Sequence, residues 1–314
     1  MDRDEWFRRK LELLLRRRPP PTSRASDLFE ARPWTPLKLI VLDWYLGIYF
    51  PRLRRRYESL VFVDLFAGSG ACYYRRGGFD LPGSSLVASS YRKGFEGRVG
   101  NGSFDKIIAN EVRSERLAAL VEHVRAQGYR QGEVAAFRGK AEDNVESILR
   151  EIPRSQAHVL LLADPENLVG LPFSIIRHFV RRHDATDVII NHLVSGSARD
   201  AGREGLVPFY EGRAESGMDR EQVSRLYFDM VREIRPNAVK IRINAGGESE
   251  GYYYDLILAT RHTGGGNPWA QQSFPDLKAK IESFSGRDVD RVMRTLTPYE
   301  SGGRRHRQLK LDER

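Results

Sequence analysis

An α/β fold with a mostly parallel sheet and helices on both faces is predicted by three features of this 314-residue sequence. The first is residues 61–70, VFVDLFAGSG, where an apolar, β-branched run ends in Asp64 and then in two glycines one residue apart. Such a run reads as a buried strand breaking into a tight turn. The second is the recurrence of apolar runs at 105–111, 134–138, 158–163 and 186–193, mostly separated by segments of helical periodicity, the pattern of strand–helix–strand units. The third is a closing pair of runs, 239–244 and 252–260, joined through Gly246 and Gly247, which pair antiparallel. Together these runs make seven strands, the last one reversed.

In chain order, residues 1–18 mix Trp6, Phe7, Leu11, Leu14 and Leu15 with Arg8, Arg9, Arg16, Arg17 and Arg18, a short amphipathic basic helix. It either folds back on the domain with its basic face in solvent or serves as an arm toward nucleic acid or a membrane surface. Pro19, Pro20 and Pro21 end it. Residues 34–57 place Leu37, Ile40, Val41, Trp44, Tyr45 and Ile48 at helical spacing and close near Pro51 in Arg52, Arg54, Arg55 and Arg56. These arginines either contact phosphates or complement the helix dipole. After the glycine turn, Tyr73, Tyr74, Arg75, Arg76 and the Gly77–Gly78 pair interrupt the expected helix, which starts only at Pro82-Gly83-Ser84-Ser85. Ser84 is there either an ordinary cap or part of an anion site.

The second strand, 105–111, ends in Glu111, and the helix 114–128 follows. A carboxylate at that strand tip can accept both hydroxyls of a ribose lying over the glycine turn. After the third strand, Ala141-Glu142-Asp143-Asn144 opens a helix, with Asp143 placed either to cap it or to accept from an adenine amino group. The fourth strand, HVLLLA, runs into Asp164-Pro165-Glu166-Asn167. Residues 195–217, with Arg199, Arg203 and Arg213, read as a polar, mobile insert before a helix at 221–234. The last forty residues, with Arg304, Arg305 and Arg307, read as a fraying basic extension.

The 51 basic and 42 acidic residues leave a formal charge of +9, and only nine of the basic residues are lysine. That balance either suits an anionic partner such as nucleic acid or reflects the base composition of the coding DNA, from which arginine-heavy usage also arises. The single cysteine, Cys72, excludes an intrachain disulfide and a thiolate zinc cluster. Seven histidines show no ligand face, so no metal is expected. No run of about 18 apolar residues is present and the N-terminus lacks a signal peptide's apolar core, which predicts a soluble, cytoplasmic chain with no membrane partner.

Gly68 and Gly70 let the backbone turn sharply and a ligand approach closely. There is no third glycine on the dinucleotide spacing and no Lys-Ser/Thr after the turn, so NAD and ATP lose support and S-adenosylmethionine (SAM) remains. In SAM-binding sheets the fourth strand's tip faces the methyl group, so Asp164 is either placed for chemistry or an ordinary turn residue at the strand end. Methyltransferases of exocyclic base amines carry an Asp or Asn, two prolines and an aromatic residue there; this chain has Glu166 and Asn167 at the third and fourth positions.

DLFAGSG, residues 64–70, resembles motif one of class I SAM-dependent methyltransferases. The wider ordered set resembles the three-Cys-motif partner protein family over roughly residues 33–270: Thr35-Pro-Leu-Lys38, DLFAGSG, Pro82-Gly83-Ser84, Asn110-Glu111, Asp164-Pro165, Tyr254-Asp-Leu-Ile-Leu, Arg261-His262 and Trp269. The resemblance implies a Rossmann-like class I methyltransferase fold, SAM as cofactor and a partner protein that itself carries three cysteines. It implies a cofactor site with Asp64, Phe66, Gly68 and Gly70 around the methionine part, Glu111 on the ribose and Asp143 by the adenine. Asp164 and Pro165 would border the methyl group as the catalytic pair. The family usually has an aromatic residue and a glycine after Asp-Pro, where Glu166 and Asn167 stand here. The function expected is a SAM-dependent methyltransferase acting on nucleic acid; the alternative is a non-catalytic accessory module working with the three-cysteine partner. The organisation expected is a basic helix and Pro-rich linker at 1–32, the methyltransferase domain at 33–270 with inserts near 71–104 and 195–217, and a basic extension at 271–314.

Overall fold

The computed structural model describes residues 2–17, 29–93, 102–154, 156–167, 170–196, 206–246, 249–262 and 268–296. Arg18, the prolines at 19–21, Arg199, Arg203, Gly247, and Arg304, Arg305 and Arg307 lie outside the described residues.

Asp2 starts α1 (Arg3–Leu15) by accepting from the Glu5 N–H at 2.7 Å. Trp6, Phe7, Leu11 and Leu14 are buried in the main core, so the helix folds back on the domain and leaves arginines outside. After β1 (Phe29–Glu30), α2 (Thr35–Leu53) is apolar on nearly every side and is buried along most of its length. Its one acidic residue, Asp43, is buried and paired with Lys10 at 3.1 Å and Arg17 at 2.6 Å, which ties α1 to α2. Burial pushes the Asp43 carboxyl up, but the Arg17 and Lys10 charges push it further down, below its ordinary value.

The run 61–70 supplies most of β2 (Ser59–Asp64). The interruption after the glycine turn is a hairpin of β3 (Ala71–Tyr74) and β4 (Phe79–Pro82), which joins β1 in a small three-stranded sheet. Only then does α3 (Ser84–Ser89) begin, with Gly83 at its N-cap. Ser84 is therefore inside the helix and is not its cap.

The remaining strands and helices alternate: β5 (Lys106–Glu111), α4 (Ser114–Ala126), β6 (Val134–Arg138), α5 (Ala141–Arg150), β7 (Ala157–Ala163), α6 (Phe173–Arg182), β8 (Thr186–His192) and α7 (Arg220–Ile234). β9 (Asn237–Gly246) and β10 (Ser249–Thr260) close the sheet, whose order is β6-β5-β2-β7-β8-β10-β9. β10 runs antiparallel to both neighbours, and the other pairings are parallel. This is the seven-stranded Rossmann-like sheet that the sequence predicts. Side chains of β7 alternate between two cores: Leu160 and Leu162 face α1–α4, while Val159, Leu161 and Ala163 face α5–α7.

Two sequence expectations change. Residues 271–296 do not fray: α8 (Pro268–Glu282) and α9 (Gly286–Leu296) bury Phe274, Leu277, Ile281, Val289 and Met293 on the α1–α4 side. Of the insert expected at 195–217, the part from 206 is anchored rather than polar and loose. Leu206, Phe209 and Tyr210 are buried there, and Phe209 stacks on Tyr227 of α7 at 4.6 Å between centroids. Among the described residues, no helix is long and apolar enough to cross a membrane.

Candidate functional site

Strand order reverses at β2, which has β5 on one side and β7 on the other. The loops leaving these three strands diverge and open a crevice at the carboxyl edge of the sheet. A cavity of 370 Å³ lies there, within the range of about 300–1,000 Å³ that small-molecule sites occupy.

One wall is the turn after β2. Gly68 and Gly70 have φ of +58° and +74°, the left-handed region that side chains disfavour. The Gly70 carbonyl accepts from the Gly83 N–H at 2.7 Å. A Cβ on Gly83 would stand 2.8 Å from the Gly70 carbonyl carbon, so the hairpin can close back on the turn only because residue 83 has no side chain. Phe66, Gly68 and Gly70 line the cavity.

Asp64 does not line it. Its carboxylate is wholly buried beneath the turn and accepts from Ser84 Oγ at 2.5 Å, Ser85 Oγ at 2.9 Å and the Phe66 N–H at 3.2 Å. It fastens the start of α3 to the glycine turn. Burial pushes its pKa up to about 6 despite the three donors.

Glu111, half-buried at the tip of β5, accepts from the Gly68 N–H at 3.1 Å through Oε2 and from the Arg113 N–H at 2.9 Å through Oε1. Beside it Asn110 is buried, donating to the Leu65 and Gly139 carbonyls and accepting from Asn144 Nδ2 at 2.8 Å. It thereby clamps the loops after β2, β5 and β6. Val112 follows, lines the cavity and is 58% exposed, an apolar surface beside the carboxylate.

Asp143 is neither the cap of α5 nor part of the cavity wall. The N-cap is Lys140, so Asp143 is the third residue of the helix and is exposed; Lys140 and Ala141 line the cavity instead.

Across the cavity, Asp164 stands just past the tip of β7. Lys38 Nζ meets its Oδ2 at 2.5 Å, and Asn191 Nδ2 donates to its Oδ1 at 2.6 Å. Lys38 Nζ also lies 5.6 Å from the ring centre of buried Tyr254. Pro165 is buried and is not among the lining residues, so its expected border with the reacting group is not seen. Glu166 pairs with Arg116 at 2.8 Å, and Asn167 Oδ1 accepts from the Gly170 N–H at 3.2 Å. Cys72 lines the cavity, and burial pushes its thiol up to about 12. No group of three potential metal ligands occurs among the described residues.

Sequence reasoning missed Lys38 as a site residue, together with Asn191, Arg116 and Val112. A signal existed for Lys38: it and Asp43 are the only charged residues between 35 and 51. A charge on an otherwise apolar helix requires a partner.

No protein-family model matches the chain, and no curated protein matches it. Among solved structures, the MTase domain of METTL16 is similar at 12% identity and a TM-score of 0.41, covering 73% of this chain and 69% of that one. An rRNA methylase from Streptococcus thermophilus is similar at 11% identity and a TM-score of 0.38, covering 71% and 95%. An O-methyltransferase from Bacillus cereus, solved in complex with SAH, is similar at 11% and 0.36, covering 80% and 89%.

Proposed function

We propose that the cavity binds SAM and that the chain is a methyltransferase acting on nucleic acid. The observation that carries this reading is Glu111. Its carboxylate is held by the Gly68 and Arg113 N–H groups under the glycine turn, with lone pairs left for two ribose hydroxyls. The surroundings fit the rest of the ligand. No atom lies within 4 Å of a Cβ built on Gly68, which leaves room over the turn. Exposed Val112 offers an apolar surface for a flat base, and Phe66 and Ala67 offer one for the aliphatic part.

Bound SAM supplies an electrophilic methyl on a sulfonium that leaves readily. The protein's task is then to position the acceptor in line with that bond. Lys38 and Asn191 each hold one oxygen of Asp164, which fixes the plane of the carboxylate. Its remaining lone pairs accept from an acceptor hydroxyl or amine, turn that atom's own lone pair toward the methyl and receive the proton it sheds. Glu166 and Asn167 supply no ring at the tip of β7, so the acceptor is held there by polar contacts rather than by stacking. Arg113 and Lys140 at the cavity, with the net charge of +9, suit a phosphate backbone.

The test is transfer of labelled methyl from SAM to single-stranded RNA, DNA and small amines or alcohols. Label enters a polymer with the wild-type chain, and Asp164→Asn lowers the rate at least tenfold while SAM binding persists. SAM binding with no transfer to any polymer overturns the nucleic-acid assignment and favours an accessory role.

A further inference from the structure

A second pocket, of 720 Å³, opens at the opposite edge of the sheet. It lies where β7 and β8 begin, at His158 and Asp187, and where antiparallel β10 ends, at Thr260. Six residues of β7 at about 3.3 Å each separate His158 from Asp164, so the pocket stands roughly 20 Å from the first cavity. The two share α2, whose Lys38 reaches one and whose Arg52 reaches the other.

The floor is a closed polar network. Tyr45 donates to Asp187 Oδ2 at 2.7 Å, the Arg261 N–H donates to Asp187 Oδ1 at 3.1 Å, and the Tyr49 hydroxyl meets His158 Nδ1 at 2.9 Å. Burial lowers the pKa of His158. The half-buried rings of Tyr57 and Trp269 line the walls, with the Arg52 guanidinium 5.2 Å from the Trp269 ring centre.

Four arginines line this pocket against one aspartate, Asp187, which is buried and bonded to Tyr45 and the Arg261 N–H. The arginines differ in their commitments. Arg261 pairs with Asp184 at 2.8 Å, and Arg54, between the lining arginines in sequence, pairs with Asp105 at 2.8 Å. Arg55 and Arg56 are exposed and have no side-chain partner among the described residues. Both lie past the end of α2 at Leu53. Two uncommitted guanidiniums and two aromatic rings lining one pocket suit an anion that carries a flat ring, in which phosphate takes the guanidinium forks and the ring takes the aromatic wall.

We propose that this second pocket binds a nucleotide, with its phosphate on Arg55 and Arg56 and its base against Tyr57 and Trp269. The nucleotide is either free or one unit of a single strand; the chemistry of recognition is the same.

Calorimetric titration of adenosine 5′-monophosphate into the full chain tests the site, with Glu111→Ala as the background that disables the first cavity. Saturable binding at one site is expected in wild type and in Glu111→Ala. The double variant Arg55→Ala/Arg56→Ala, whose side chains are exposed, weakens it at least tenfold with an unchanged thermal melt. Ribose 5-phosphate binds at least tenfold more weakly than the nucleotide. Competition by a ten-nucleotide single-stranded RNA assigns the site to a strand, and absence of competition assigns it to a free nucleotide. No saturable binding, binding that Glu111→Ala abolishes, or binding that survives the double arginine variant overturns the proposal.

Discussion

The two edges of the sheet are built in opposite ways. At the carboxyl edge the walls are backbone turns, and the key carboxylates, Glu111 and Asp164, are only partly engaged and face a cavity. At the amino edge the floor is made of side chains bonded to one another across long stretches of sequence, and the uncommitted groups are arginines at the mouth. Damage to a turn at the first edge therefore disturbs binding through geometry. Damage at the second separates cleanly into loss of stability, from the floor, and loss of affinity, from the rim.

The largest expected effect comes from Asp64, under the glycine turn. Its folded-state pKa of about 6 lies above the ordinary 3.8, so the folded chain holds the proton more tightly than the unfolded one. That stabilisation is present in full below about pH 3.8 and is lost as the pH rises through 6. Urea titrations of wild type and Asp64→Asn from pH 4 to 7 are expected to show the difference between them change by about 2 kcal/mol, wild type losing ground as the pH rises. A pH-independent difference contradicts the burial of an unpaired carboxylate there.

Next is Gly83→Ala, which forces a Cβ against the Gly70 backbone. Overpacking of this kind costs about 1–3 kcal/mol, and SAM affinity falls with it because the turn moves. Tyr45→Phe, at the other edge, removes a buried donor from Asp187 and costs about 1–3 kcal/mol in a thermal or urea melt while leaving SAM affinity unchanged. A change in affinity would mean that α2 couples the two edges. Smallest is the stability effect of Arg55→Ala/Arg56→Ala, expected within about 0.5 kcal/mol for exposed side chains.

The contrast between the edges also explains what the sequence could tell. The glycine turn, the carboxylate ending β5 and the Asp-Pro after β7 are local signals, each within a few residues of a strand end, and they were readable. Lys38 and Asp164 are 126 positions apart and Tyr45 and Asp187 are 142 apart, so neither pair leaves a local pattern. The cap of α5 is not legible because residues 141–144 offer several polar side chains at a helix start, and the boundary falls at Lys140 without a side-chain cap. The helices after 268 carried a readable signal in the spacing of Phe274, Leu277 and Ile281, which the arginines beyond them masked.

In the proposed function, Glu111 under the glycine turn holds an adenosyl ribose. Calorimetric titration of SAM into wild-type protein and into Glu111→Ala tests it most directly. Hydrogen bonds to a charged group contribute about 1.5–3 kcal/mol, so saturable binding to wild type and roughly ten- to hundredfold weaker binding to the variant is the predicted result. Well-folded wild-type protein that gives no saturable binding, or equal affinity in the two proteins, contradicts the account.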